Sequence, residues 1–335
     1  MKLLSVVVPC YNSADYMARC IDALLTGGPE LEILIVDDGS KDDTGAIADR
    51  YAQDYPQVRA LHEANGGHGQ AINYGLAEAT GRFFKVVDSD DWLDPAALKA
   101  LMAHLAHATF TAGLDMLICN YIYDKVAQNH KKVIQFRHLL PTDRAFTWRD
   151  VKLPVGKYLL MHTVIYRTAC LQEAHLSLPA HTFYEDNLYV FYPLPYVTAM
   201  RYLDLDLYHY FIGRADQSVN EQVMIGRIDQ QIFVNKAMID YYATTPLHDP
   251  ALARYMRSYV TIVTGISSIL LLRAKTPQAL AKKRELWAYM AQTAPALYTQ
   301  MRHGLVGRVM NLPGHTGRAL TVTAYRMARH VYQFN

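Results

Sequence analysis

The sequence predicts a doubly wound α/β fold whose mostly parallel sheet is followed by a C-terminal helical appendage. Three observations carry this. Apolar, β-branched runs alternate with amphipathic helical patterns over the first hundred residues, as in βαβ repeats with right-handed crossovers. The runs end in polar, mostly acidic clusters, and beyond Val219 only helical periodicity remains.

Residues 3–9 form a continuous apolar run, as expected of a strand buried on both faces of a parallel sheet. Ala14, Met17, Ile21, Leu24 and Leu25 then share one helical face, which Gly27-Gly28-Pro29 stops. Residues 31–36 make the second strand, ending in Asp37-Asp38-Gly39-Ser40, and a helix over 43–54 and a short strand over 57–62 follow. The loop Asn65-Gly66-Gly67-His68-Gly69 opens a third helix, Gly81 breaks it, and residues 82–87 form the fourth strand, ending in Asp88-Ser89-Asp90-Asp91. Asp94-Pro95 caps and starts another helix, since proline at the first helical position has no N–H to leave unpaired. Two looser strands, 116–123 and 163–167, flank a Lys/His-rich loop; helices over 225–242, 250–272 and 277–290 precede a basic final stretch. The boundary falls near residue 220, dividing the chain into an α/β domain, 1–219, and a helical domain, 220–335.

Composition bounds the rest. The 335 residues are 51% hydrophobic and 19% charged, ample for a packed core and unlike a disordered chain. The net charge of +2 hides a separation: from Val219 onward there are 14 Lys/Arg against 5 acids, and the front carries the acidic excess. The apolar start reaches Pro9 and Asn12 too soon for a secretory segment. The longest uncharged apolar stretch, 258–272, falls short of the roughly 20 residues that span a bilayer. Cys10, Cys20, Cys119 and Cys170 have no metal-type spacing and read as buried thiols. The expectation is a cytoplasmic protein, at most peripheral on the inner face of the membrane.

In doubly wound sheets ligands sit beyond the carboxyl ends of the strands, and here those ends carry Tyr11-Asn12, Asp37-Asp38 and Asp88 through Asp91. Three carboxylates within four residues repel unless a cation sits among them, and oxygen-only ligation suits Mg²⁺ or Mn²⁺. A solvated turn before a helix start, where acids are also favoured, is the alternative. No dinucleotide or Walker-type phosphate loop follows the first strand, which argues against hydride transfer and P-loop chemistry. The ending Pro9-Cys10-Tyr11-Asn12 lacks the nucleophilic aspartate of dehalogenase-like phosphatases.

With these residues in view, the chain resembles the family-2 glycosyltransferases of the GT-A fold, of the bacterial exopolysaccharide or cell-surface glycan type. The matching runs are Ser5-Val6-Val7-Val8-Pro9-Cys10-Tyr11-Asn12, Ile35-Val36-Asp37-Asp38-Gly39-Ser40, Asn65-Gly66-Gly67, Asn73-Tyr74-Gly75-Leu76, Ala79-Thr80-Gly81 and Asp88-Ser89-Asp90-Asp91, in the family's order. The resemblance implies that Tyr11 stacks on uracil and Asp38 accepts from the base N–H. Asp37 is its neighbour, with a structural role as the alternative, and Pro9, Asn12, Asn65, Gly66 and Gly67 belong to the same nucleotide-sugar pocket. Asp90 would hold the ribose, Asp91 the metal (Mn²⁺ or Mg²⁺), and Asp88 would support one or both; which of Asp88, Asp90 and Asp91 touches the ion is open. A Glu-Asp pair supplies the base in this family, matched here by Glu185-Asp186, with Asp186 favoured; capping of the following helix is the alternative. The implied activity is a metal-dependent, inverting hexosyl transfer of one sugar from a UDP-sugar to a glycan or lipid-linked acceptor.

The chain departs from the pattern at Ile72 and Phe211, where arginines are expected. Arg214 or His209 would then face the diphosphate, with Ser218 nearby and His68 and Lys85 as further options. The synthase signature Gln-x-x-Arg-Trp is absent, favouring single addition over polymerisation. After Glu285 there is no acid, while Arg302, Arg308, Arg318, Arg326 and Arg329 alternate with apolar residues. Two readings stand: a segment on an anionic membrane surface, or a basic appendage that docks on the acidic front or in a homo-oligomer. No nucleic-acid motif is present. Two alternatives to the enzyme remain, a catalytically silent nucleotide-sugar binder and a metal-dependent phosphoryl-transfer enzyme.

Overall fold

The computed structural model describes residues 2–125, 131–154, 156–212 and 220–332. The chain divides into two compact units, Met1–Leu153 with Leu159–Gly213, and Pro154–Tyr158 with Arg214–Asn335.

The first unit holds one sheet of β1 (Leu4–Cys10), β2 (Leu31–Asp38), β3 (Val58–Glu63), β4 (Phe83–Val86), β5 (Trp92–Leu93), β6 (Met116–Lys125), β7 (Lys132–Ile134), β8 (Val164–Arg167) and β9 (Met200–Ile212). Their order is β3-β2-β1-β4-β8-β6-β9-β5, with β7 on β6. The front half is parallel from β3 to β4, as the βαβ pattern predicts. The back half is mixed: β6 and β9 run parallel, while β8 and β5 enter antiparallel. Helices α1 (Met17–Leu25), α2 (Thr44–Asp54), α3 (His68–Glu78) and α4 (Pro95–Ala106) connect the front strands, and α5 (Ala108–Thr111), α6 (Thr168–Glu173) and α7 (Asp186–Phe191) are short.

Every residue of β1 and β2 is buried, which explains their unbroken apolar runs. Two motif glycines let layers close up. A Cβ on Gly75 of α3 would lie 2.5 Å from a Val7 methyl, and one on Gly81 would lie 2.4 Å from the Ser5 backbone nitrogen. At the start of the strands, buried Glu32 accepts from the Thr80 N–H at 2.8 Å and the Thr80 hydroxyl at 2.9 Å, and from Ser5. This polar lock fixes the end of the sheet opposite the acidic rim. As expected, Asp94 caps α4 by accepting from the Ala96 and Ala97 N–H groups.

The 13-residue β9 has no counterpart in the sequence expectation. Its Tyr, His and Asp residues break the apolar signal because several face polar partners. Asn120 of β6 donates to Asp204 at 3.0 Å and Asp206 at 2.8 Å, at a register shift between the two strands.

The second unit contains α8 (Glu221–Gly226), α9 (Ile228–Thr244), α10 (Pro250–Arg273), α11 (Pro277–Thr293), α12 (Pro295–His303), α13 (Leu305–Met310) and α14 (Gly314–Tyr332). The helix expected over 225–242 is interrupted at Arg227, between α8 and α9. At 24 residues α10 is long and apolar enough to cross a membrane by length and composition, yet most of its apolar window is buried. Its hydroxyls face other helices: Thr264 accepts from Asn235 at 3.0 Å and Ser268 from the Trp287 indole at 3.0 Å. This is the packing of a core helix. All four cysteines are buried and unpaired.

Candidate active site

The carboxyl ends of β1, β2 and β4 bring three polar clusters to one rim. Tyr11, just past β1, is 47% exposed. Asn12 adopts a left-handed φ of 50°. Its N–H donates to Ser40 Oγ at 3.0 Å, and its Oδ1 accepts from the Lys41 N–H at 2.9 Å, so it brackets β1 to the turn after β2. Pro9 lies within β1 in register with Val36.

Asp37 and Asp38 close β2. Asp37 accepts from the Ser40 N–H at 3.0 Å and meets His62 Nδ1 at 3.2 Å. Asp38, buried, accepts from the Gly66 N–H at 2.6 Å, and from the Gly67 N–H and Asn65 Nδ2 at 2.9 Å each. An ionised carboxylate offers about four lone-pair positions, so one remains for a ligand. The loop of residues 65–67 is therefore moulded on Asp38. Gly67 has φ 85°, and a Cβ there would stand 3.0 Å from the His181 nitrogen, so this turn requires glycine.

The turn after β4 is closed by the Asp91 N–H donating to the Asp88 carbonyl at 3.0 Å. Asp91 is buried; its Oδ2 accepts from the Tyr208 hydroxyl at 2.6 Å and its Oδ1 from the Phe211 N–H at 2.7 Å. Both partners come from β9, and the Asp88 N–H also reaches the Tyr208 oxygen, at 3.2 Å. Burial and the charges of Asp90 and Asp88 raise the Asp91 carboxyl well above its ordinary range. Carboxylate oxygens of Asp88 and Asp91 and a ring nitrogen of His162 lie within 4.8 Å of one another. Asp88, held low by His68, keeps its charge, while the buried Asp91 carboxyl resists ionisation; a divalent cation fits beside them and would restore the charge of Asp91. Asp90 belongs to the same turn but not to that group of donor atoms.

His68, the first residue of α3, joins this cluster to the acidic pair. Its Nε2 meets Asp88 Oδ1 at 2.9 Å and its Nδ1 meets Glu185 Oε1 at 2.6 Å. Desolvation opposes charging, but the two carboxylates prevail and hold its pKa well above 6.5. An imidazolium thus bridges residues far apart in sequence. Glu185 is buried and its side chain makes no capping hydrogen bond, while Asp186 begins α7. Desolvation first, and then the Glu185 charge, push the Asp186 carboxyl up to about 7. The approach to the pair is unusual backbone: His181 and Tyr184 have φ of 48° and 70°. Asn73 pins this approach to α3, donating to the Leu178 carbonyl and accepting from its N–H, both at 2.9 Å.

The residues considered for the diphosphate are placed differently. His209 is buried, stacked on Trp92 at 4.8 Å with its Nδ1 3.2 Å from Asp124, and desolvation lowers its pKa. Lys85 is buried, donates to the His162 carbonyl at 2.9 Å, and is lowered to about 8 by desolvation. Arg214 and Ser218 lie outside the described residues.

Residues 5–164 match the family described as Glycosyl transferase family 2. The chain carries a family-2 glycosyl transferase domain. Among curated relatives of this glycosyltransferase domain, YibD of Escherichia coli is 29% identical over 64% of the chain, and the match spans 63% of that protein. EpsH of Bacillus subtilis is 25% identical over 80% of the chain and 76% of its own length. Both are named as glycosyltransferases. S. aureus TarS 1-349, solved with UDP-GlcNAc, superposes with a TM-score of 0.66 at 21% identity, covering 99% of this chain and 92% of that one. The mannosyltransferase PcManGT of Pyrobaculum calidifontis, solved with GDP-Man and Mn²⁺, gives 0.51 at 16% identity over 99% and 88%. The fold is GT-A.

Within the glycosyltransferase domain, sequence reasoning names His68 only as one cation among several and omits Tyr208 as a seat for Asp91 and His162 altogether. The position of His68 at the helix start beside the glycine loop is a local signal. Tyr208 and His162 have none, because their partners come from other strands.

Proposed function

We propose that the chain is an inverting glycosyltransferase that moves one sugar from a UDP-sugar to an acceptor hydroxyl, in the assembly of cell-surface polysaccharide or glycoconjugate. The observation that carries this is the Asp88–His68–Glu185 bridge, which ties the candidate donor cluster to an adjacent carboxyl, Asp186, poised near 7. A general base works best when its pKa lies near the operating pH. In this reading Asp186 takes the acceptor proton as the hydroxyl oxygen bonds to the anomeric carbon and the bond from that carbon to the diphosphate breaks. Glu185 holds His68, and His68 holds Asp88. Tyr11 offers its exposed ring to the base, and Asp38 shapes the floor beneath it, with one lone pair left for the base N–H. Asp90 would serve the ribose. A divalent cation, Mn²⁺ or Mg²⁺, would be held by Asp88 and Asp91 and would supply positive charge to the leaving diphosphate.

TarS with UDP-GlcNAc and PcManGT with GDP-Man and Mn²⁺ support a nucleotide-sugar donor and a divalent ion. The test is UDP release from a panel of UDP-sugars with Mn²⁺ or Mg²⁺ and candidate acceptors. Metal-stimulated release with product of inverted anomeric configuration is expected. Tight UDP binding without turnover under any condition would favour a silent binder, and neither binding nor release would remove the reading.

For the acceptor side, Leu305, Leu312, Leu320 and Met327 are exposed in a stretch carrying Arg308, Arg318 and Arg326. This combination favours an anionic membrane surface and a lipid-linked acceptor. Flotation with vesicles containing anionic lipid should recover the chain, and the exposed changes Leu320→Glu with Met327→Glu should abolish recovery without lowering Tm. Equal flotation of both proteins would count against a membrane role.

A further inference from the structure

We infer that His162 is a ligand of the cation assigned above to Asp88 and Asp91, so that the site has a mixed nitrogen–oxygen donor set. The inference rests on the metal reading of the proposed function and adds a residue that the acidic motif does not contain. Its first support is position. A ring nitrogen of His162 lies within 4.8 Å of carboxylate oxygens of both Asp88 and Asp91. Ligand atoms on an ion with bonds of about 2.1 Å stand roughly 3–4 Å apart, so closure of about 1–2 Å suffices. The second support is an unmet donor or acceptor. His162 is 8% exposed, and its Nδ1 is buried with no hydrogen-bond partner among the described residues. Buried polar groups are nearly always paired, and an exception calls for a missing partner.

The third support is rigidity. The His162 ring stacks on Tyr208 at 4.6 Å and packs against Tyr210 at 4.4 Å, while its carbonyl accepts from buried Lys85 at 2.9 Å. The same Tyr208 seats Asp91 through its hydroxyl at 2.6 Å. One tyrosine therefore orients two donors, as the residues that hold the ligands do in built metal sites. An imidazole donor also changes which ion is favoured. Mg²⁺ prefers oxygen and water, whereas first-row transition ions accept nitrogen readily. The site should thus bind Mn²⁺, and Co²⁺ more tightly still, in preference to Mg²⁺.

The test is pulsed EPR of Mn²⁺ on the full chain, alone and with UDP, together with Mn²⁺ and Mg²⁺ titrations. The wild-type chain is expected to give ¹⁴N modulation from a directly bound imidazole. His162→Phe, which keeps an aromatic ring against Tyr208 and Tyr210, should lose that modulation and weaken Mn²⁺ binding at least about tenfold, given that even outer-shell losses cost about 10–100-fold. Mg²⁺ affinity should fall less. His162→Gln, which offers an oxygen donor, should also lose the ¹⁴N signal while retaining part of the affinity, and it serves if the phenylalanine variant does not fold. Bound Mn²⁺ without ¹⁴N modulation in the wild-type chain would overturn the inference and leave the metal reading intact. So would modulation that survives in His162→Phe and disappears in His68→Gln. If the wild-type chain binds no Mn²⁺ with or without UDP, the metal reading itself fails.

Discussion

Asp186→Asn is expected to keep UDP affinity and lower kcat by about 10³-fold, within the usual worth of a positioned general base. The change is nearly isosteric and removes only the ability to accept a proton. Its pH behaviour separates a base from a spectator. With the wild-type carboxyl at about 7, kcat/KM should rise about tenfold per pH unit below that value and level above it, whereas the variant should show no such rise. A cation bound at Asp88 and Asp91 would pull the value down, so profiles with and without metal should differ in midpoint. Stability moves the other way. A carboxyl raised in the folded state contributes stability that is fully present below the unfolded value of about 3.9 and is lost as pH rises through about 7. Metal-free Asp186→Asn should therefore melt higher than the wild-type chain at pH 8 and alike near pH 4. Turnover within tenfold of wild type would send the search for the base elsewhere.

Asp38→Ala should be the most damaging single change to the fold at this rim. It strands the Gly66 and Gly67 N–H groups, which now end on one buried carboxylate, while the exposed Asn65 amide keeps its bond to the Asp38 carbonyl at 3.0 Å. Leaving one buried and one half-buried N–H unmet costs about 1–3 kcal/mol each, so the sum is about 3 kcal/mol. For a unit of this size that is roughly 10 °C in Tm, measurable by calorimetry or thermal shift. Tyr11→Ala, at an exposed ring, should leave Tm within a degree or two while weakening UDP binding. If Asp38→Ala melts like the wild-type chain, the loop is not held as described.

The front of the molecule is legible in sequence for a physical reason. Parallel strands buried on both faces must be apolar throughout, so β1 and β2 appear as unbroken runs whose ends mark the rim. The acidic turn Asp88 through Asp91 and the pair Glu185-Asp186 stand out because charge is costly where the flanks are apolar. The mixed half of the sheet does not write itself so plainly. In β9 the polar side chains serve as partners: Tyr208 for Asp91, and Asp204 and Asp206 for Asn120. A strand whose polar residues are satisfied internally looks like a surface loop. His162 illustrates a second limit, since it has no meaning until distant residues are brought beside it. Asn12 illustrates a third. It sits where a nucleotide contact is expected, and its hydrogen bonds hold two turns together.

The two-way hydrogen bond between Asn73 and Leu178, with the close approach of Gly67 to His181, bears on how such enzymes can be recombined. The glycine loop over residues 65–67 and the segment leading to Glu185-Asp186 are separate stretches of chain but one mechanical block. A chimera that imports residues 178–187 from a relative inherits a loop shaped for that relative's own glycine turn and Asn73 counterpart. Grafts of acceptor specificity onto this scaffold should therefore exchange both stretches together, since the unit of inheritance here is a contact and not a segment.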